Sequence, residues 1–261
     1  MLKFDNVTKK FDGLPVFEDF SFEIPAKGVY AVLGRKGTGK TTLMDIAAGC
    51  MKPDSGSVLL DGQDVYSNPV AAKRKISYLP QRTCFFPEMT CLELLLFIGD
   101  AKGVDREKLY RKIDEVVEIA GIEDEAERLV GRLDTTGIKR LGLAASVIGN
   151  PDIILFDGLF DGIPANKTGE FKTLVKMFGG IKPILLGMTY ASDVIEICDG
   201  VIDLADKNFV RASDFPSSSA FAERFGAFCP EDTQHQEQTD GAQGKLKSKI
   251  WRLRKSKGEK V

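Results

Sequence analysis

The residues with the clearest chemistry run Gly34-Arg35-Lys36-Gly37-Thr38-Gly39-Lys40-Thr41-Thr42. Through Thr41 they satisfy G-x-x-x-x-G-K-[ST], with an apolar run before them and a helix-forming stretch after. Glycines let the backbone curl so that successive N–H groups and the N-terminus of the next helix point at phosphate oxygens. Lys40 reaches the outer phosphates, and the Thr41 hydroxyl is a ligand for Mg²⁺. The pattern predicts a nucleoside triphosphate site, with ATP and Mg²⁺ as the expected cofactors. It does not predict hydrolysis, which also needs a positioned water and stabilisation of transition-state charge.

Such a loop must be held between a buried strand and a helix. Val29 to Leu33 is continuously apolar, as in a parallel strand covered on both faces, and Lys40 to Ala48 reads as helix. Ahead of them, Leu2 to Val7 and Phe20 to Ile24 alternate in polarity and predict half-buried antiparallel strands around a turn at Asp12-Gly13. Turn residues at Asp54-Ser55-Gly56 and Asp61-Gly62 bracket a short strand from Ser57 to Leu60, and Ile76 to Leu79 is another, ending at Pro80-Gln81. From Thr90 to Ala120 apolar residues recur at helical spacing, with a break at Gly103-Val104-Asp105. Ile153 to Phe156, Ile184 to Leu186 and Val201 to Leu204 then restore a β/α rhythm. The expected fold is α/β: a phosphate-loop NTPase core with a mainly parallel sheet, a small antiparallel β layer and an inserted helical lobe. The domain is expected over residues 1–226, its helical lobe over about 85–150.

Bulk properties narrow the partners. With 36 Lys+Arg against 38 Asp+Glu, a net charge of -2 lacks the basic excess of a nucleic-acid binder. Cys50, Cys84, Cys91, Cys198 and Cys229 are scattered, without the close pairs of a zinc site, and read as reduced, mostly core residues. No signal peptide or membrane-spanning run is evident, which predicts a cytoplasmic protein. Residues 227–261 read as a disordered tail: a polar linker holding His235, the only histidine, then a basic end with Trp251. Contact of that end with anionic lipid is the alternative.

The order of elements resembles the ATP-binding subunit of ABC transporters, from Leu2 to about Gly226. Lys9-Lys10-Phe11 looks like the family's adenine-stacking loop, which makes Phe11 the stacking residue; a core aromatic beside a turn is the plainer alternative. Ile76-Ser77-Tyr78-Leu79-Pro80-Gln81 resembles the Q-loop, so Gln81 is implied at the Mg²⁺ and water shell and as a link to a membrane partner. Ile153-Ile154-Leu155-Phe156-Asp157 resembles Walker B, with Asp157 at the Mg²⁺ shell. The implied metal-site residues are therefore Thr41, Gln81 and Asp157. The resemblance also implies a transmembrane permease subunit and a second nucleotide-binding subunit, a homologous heterodimer partner being plausible. It places the chain at the inner face of the cell membrane, in contact with it through that permease.

Four positions depart from the family pattern. The LSGGQ signature falls on Leu133-Asp134-Thr135-Thr136-Gly137, where Asp134 would bring negative charge towards phosphate. Gly158 stands where the family has its catalytic Glu, Thr189 where it has the switch histidine, and Pro164 where it has the D-loop aspartate. Losing a positioned base typically costs ~10²- to 10⁴-fold, or roughly 3 to 5 kcal/mol of barrier. Asp161 is the nearest replacement carboxylate and is not expected to reach. The expectation is an ATP clamp with weak or absent hydrolysis and no confident catalytic residue. An ATP-sensing regulatory or scaffold module is the alternative from a different class.

Overall fold

The computed structural model describes residues 1–34, 36–188, 197–204, 208–211 and 214. It opens with a long hairpin, β1 (Leu2–Phe11) against β2 (Leu14–Ile24), paired from Leu2↔Ile24 to Phe11↔Leu14. The turn is Asp12-Gly13, with φ of 50° and 79°. Two consecutive left-handed residues make the tight connection whose twist matches that of the flanking strands. Pairing therefore continues to the turn, beyond the short strands expected from polarity alternation. β4 (Ser55–Leu60) pairs antiparallel with β1, and β5 (Gln63–Asp64) with β4, giving a sheet of order β2-β1-β4-β5.

The second sheet has the order β10-β9-β3-β8-β7-β6, built from β3 (Gly28–Leu33), β6 (Ile76–Leu79), β7 (Ile153–Asp157), β8 (Pro183–Met188), β9 (Gly200–Asp203) and β10 (Asn208–Arg211). It is parallel apart from the antiparallel edge strand β10. The continuous apolar runs are explained by burial on both faces. Tyr30, Val32, Leu155, Leu185 and Ile202 pack with Leu43, Met44 and Ile46 of α1 (Lys40–Ala47) and with the hairpin residues Phe4, Phe17, Phe20 and Phe22. Their neighbours Val29, Ala31, Leu33, Ile154, Phe156, Ile184 and Leu186 pack on the other face with Phe171, Leu174, Val175 and Phe178 of α6 (Ala165–Gly179). Each large apolar side chain so enclosed contributes about 1.5 to 3 kcal/mol.

A third cluster joins α3 (Cys91–Lys102), α4 (Arg106–Ala120) and α5 (Thr135–Ile148). Thr90 and Glu93 form a reciprocal capping box at the start of α3. The break expected at Gly103-Val104-Asp105 is a cap pair: Gly103 ends α3 with φ 76°, and the Asp105 side chain caps α4. Helix α5 belongs to two clusters. Its Leu141, Ala144 and Ile148 face α3 and α4, while Leu143 joins the second face of the parallel sheet. A short helix absent from the sequence reading, α2 (Pro69–Lys75), starts at Asn68 and Pro69 and leads into β6. Among the described residues, no helix is long and apolar enough to cross a membrane.

Candidate functional site

The phosphate loop leaves β3 at Leu33 and enters α1 at Lys40. Gly37 and Gly39 take φ of 86° and 98°, a region costly for any residue with a side chain. Packing also holds Gly39 in place: a Cβ there would lie 2.4 Å from Val16 Cγ1 and 2.9 Å from Phe17 Cζ of the hairpin. Gly34 is likewise crowded, with Thr38 Oγ1 2.3 Å from where its Cβ would stand. Helix α1 begins without a side-chain cap and without an acidic residue in its first turn. No side chain of its own competes there with an external anion, which the leading N–H groups and positive dipole end favour. Arg35 lies outside the described residues, while Lys36, Thr38 and Thr42 lie on the loop and the first turn.

Lys40 curls back so that Nζ donates to Gly34 O. Burial lowers its pKa, and attraction to Asp157 and then Asp161 opposes that shift. Thr41 Oγ1 donates to Asp157 Oδ2 at 2.6 Å, joining the start of α1 to the end of β7. Asp157 is 3% exposed, and burial pushes its carboxyl above the ordinary range. The Thr41 hydrogen bond and Lys40 pull it back, whereas Asp45 and Asp161 push it further up. The parallel neighbour of Asp157 is Gly187, and a Cβ there would stand 2.5 Å from Asp157 Oδ1. A glycine on β8 therefore leaves room for the carboxylate. A hydroxyl beside a buried carboxylate that is costly to ionise suits Mg²⁺, which takes few protein oxygens and keeps phosphate and water ligands. Thr41 and Asp157 would hold it, and its charge would offset the burial of Asp157.

Beyond β7 the chain turns at once. Gly158 has φ 62°, its N–H donates to Gly187 O at 3.2 Å, and its carbonyl accepts from Asp161 N at 3.2 Å. That carbonyl also accepts from Lys139 Nζ at 2.8 Å. Lys139 is 5% exposed on α5, and burial lowers its pKa against the pull of Asp161 and Asp157. The turn folds Asp161 back over Gly158, where Oδ2 accepts from Gln81 Nε2 at 2.8 Å. Asp161 is thus held within electrostatic reach of Lys40. The reason is the Gly158 carbonyl, which closes a four-residue turn and reverses the chain.

Residues 17–160, more than half of the chain, match the family model of the ABC transporter. The chain belongs to the ABC transporter family. A molybdate/tungstate import ATP-binding protein of Pyrococcus abyssi is 30% identical over 178 residues, which are 68% of this chain and 51% of that protein. The chain thus spans about half the length of that relative. An ATP-binding subunit of an ABC transporter superposes with a TM-score of 0.76 over 96% of this chain and 99% of that one, at 16% identity. A dimeric ATP-binding cassette in a post-hydrolysis state with ADP and Pi superposes with a TM-score of 0.73, covering 81% of this chain and 99% of that one, at 21% identity. At these identities the superpositions establish the fold.

Against the ABC transporter pattern, Lys40, Thr41, Asp157 and Gln81 come together around the loop and the turn after β7. Phe11 lies near the tip of the hairpin whose Val16 and Phe17 pack on Gly39; the residue is 45% exposed, with Lys9 Nζ 5.4 Å from its ring centroid. It is therefore outside the core. Asp134 has a local role as well. Its carboxylate accepts from Gly137 N at 2.7 Å and caps α5, so it is aimed at its own helix terminus. Pro164 precedes α6 as its cap residue. Thr189 and His235 lie outside the described residues, as do Cys229 and the basic tail with Trp251. Sequence reasoning missed Lys139 and Gly187. Neither carries a motif of its own, and only the packing of α5 and β8 against the end of β7 gives them a role.

Proposed function

We propose that this chain is the ATP-binding subunit of an ABC-type transporter. In this reading it binds Mg-ATP as a clamp against a second nucleotide-binding subunit and drives a transmembrane permease at the inner face of the membrane. The observation that carries the reading is the junction of Lys40, Thr41 and Asp157 at the uncapped start of α1, below the glycine turns of Gly37 and Gly39. Lys40 and the loop N–H groups bind and orient the phosphates, Thr41 and Asp157 supply oxygens, and the exposed face of Phe11 takes the base. Bound Mg²⁺ neutralises phosphate charge. The permease reading draws support from Phe86 and Phe97, an exposed edge-to-face pair with centroids 5.5 Å apart that joins the segment after Gln81 to α3.

Hydrolysis in this chain is weak. Gly158 brings no carboxylate of its own, and Asp134 places one at the start of α5, where the family signature would offer N–H groups to phosphate. The same two residues favour a second reading, an ATP-sensing module that acts through binding alone. Co-purification with a permease separates the two readings. Calorimetry with Mg-ATP, paired with phosphate release at saturating ATP, tests both binding and chemistry. Lys40→Ala removes a charge-assisted contact worth about 2 to 5 kcal/mol, so affinity is expected to fall by at least roughly 30-fold. Unchanged affinity in that variant sinks the ATP-binding reading.

A further inference from the structure

We infer that Asp161 supplies the water-holding carboxylate that position 158 lacks, and that whatever ATP turnover this chain achieves runs through it. The inference rests on the ATP-binding reading above and deepens it.

Geometry carries it. Asp161 Oδ2 stands 2.4 Å from where a Cβ at Gly158 would be, and Asp161 Cγ stands 3.1 Å from it. A residue with a side chain at 158 and Asp161 in its present place are mutually exclusive. The carboxylate therefore occupies the space from which a side chain at the end of the Walker-type strand would start. Glycine at 158 serves this arrangement twice, by tolerating φ 62° and by leaving the volume empty.

The carboxylate is also fixed. The Asp161 N–H closes the turn on Gly158 O at 3.2 Å, and Lys139 Nζ holds the same oxygen at 2.8 Å from the buried side. Gln81 Nε2 donates to Oδ2 at 2.8 Å. One carboxylate oxygen is engaged in this way while the residue stays exposed to water. Its charge acts on Lys40, the phosphate-binding lysine, as well as on Lys139. Asp161 thus belongs electrostatically to the phosphate site.

In the step this implies, a water held by Asp161 attacks the γ phosphorus. The new P–O bond forms as the bond to the β–γ bridging oxygen breaks, and that electron pair leaves on ADP. The water proton ends on the released phosphate, so ATP and water give ADP and dihydrogen phosphate with no other reactant. Because Gln81 holds Asp161 and leads out of β6 towards the helical lobe, it is the positioning residue for the carboxylate.

The test compares the full chain with Asp161→Ala and Asp161→Asn, using Lys40→Ala as the blank. Phosphate release is measured at saturating Mg-ATP, ATP affinity by calorimetry, and folding by circular dichroism. Wild-type release should exceed the blank. Both Asp161 variants should lose at least about tenfold in kcat, with affinity held within about twofold. Added formate should restore part of the rate to Asp161→Ala and none to Asp161→Asn, where the amide keeps the space filled. Wild-type release equal to the blank overturns the inference, as does an Asp161→Asn rate like wild type or a loss that formate leaves untouched. In each of those cases intact calorimetric binding preserves the ATP-binding reading. Absence of ATP binding by the wild type sinks that reading instead.

Discussion

Helices α1 and α5 begin with the same resource and dispose of it in opposite ways. Each N-terminus presents N–H groups that the helix itself cannot pair and the positive end of a helix dipole. At α1 the cap is Gly39, which has no side chain to spend on them, and the first turn carries no acid. At α5 the cap is Asp134, whose carboxylate takes the N–H of Gly137 at 2.7 Å. An Asp cap stabilises a helix by about 1 kcal/mol, and an anion at a helix start by roughly 0.3 to 1 kcal/mol. One terminus is thus left open for a foreign anion, and the other is closed by a resident one. A helix start is an anion site only while the chain withholds its own carboxylate.

The largest way to break the open site is at its acidic wall. Asp157→Asn keeps an oxygen to accept from Thr41 but removes the charge that would hold Mg²⁺. Affinity for Mg-ATP is expected to fall more than about tenfold and to lose its Mg²⁺ dependence, as read by calorimetry with and without EDTA. The same variant should raise the Tm of the nucleotide-free protein. Burial holds the Asp157 carboxyl above its ordinary value, so the folded state binds that proton more tightly than the unfolded chain. This preference favours folding at low pH and is lost as pH rises from the unfolded value through the raised folded one. Above that window the ionised carboxylate is a cost that Asn lacks. The Tm gap between variant and wild type should therefore close on acidification.

A smaller effect comes from the glycine that keeps α1 open. Gly39→Ala puts a Cβ at φ 98° and 2.4 Å from Val16 Cγ1, so both strain and collision oppose it. The expected loss is about 1 to 3 kcal/mol of stability, with weaker nucleotide binding as the loop shifts away from the hairpin. Gly37→Ala provides the contrast. Its φ of 86° is also strained, but nothing lies within 4 Å of the added carbon, so the loss should be smaller. Urea denaturation of the two variants side by side measures the difference. Equal losses would mean that strain alone, and not the hairpin, sets the requirement at Gly39.

Much of this site was legible because its signals are local. The phosphate loop is a contiguous run, and the strand that feeds it announces its double burial by an unbroken apolar stretch. The caps at Thr90, Gly103 and Asp105 follow from residue type at a helix boundary. The rest depends on contacts between distant segments. Gln81 and Asp161 are 80 positions apart, and Lys139 reaches the Gly158 carbonyl across 19. An extended chain would carry Asp161 away from Gly158, whereas the closed turn brings it back. Gly187 shows the same limit: only its register beside Asp157 reveals why a side chain is excluded there. Asp134 was legible as a cap, since Asp before a helix is a start signal. Reading it against the family signature gave its charge a place beside phosphate but not the N–H of Gly137 that it accepts from.

The finest test exchanges the closing charge at α5 while keeping the cap. Serine ranks with aspartate at N-cap positions, so Asp134→Ser should retain a hydrogen bond to Gly137 N and lose only the charge–dipole part, about 0.3 to 1 kcal/mol. For a domain of this size that is a fall in Tm of no more than about 4 °C. Asp134→Ala removes both parts and should lie lower, by about 1 kcal/mol. If Asp134 holds α5 closed to phosphate, Asp134→Ser should self-associate more strongly with Mg-ATP than wild type, as read by sedimentation velocity. Without nucleotide the two proteins should sediment alike. Equal sedimentation with nucleotide would mean that the charge of Asp134 is confined to capping its own helix, and that the two helix starts differ in stability but not in what they offer a phosphate.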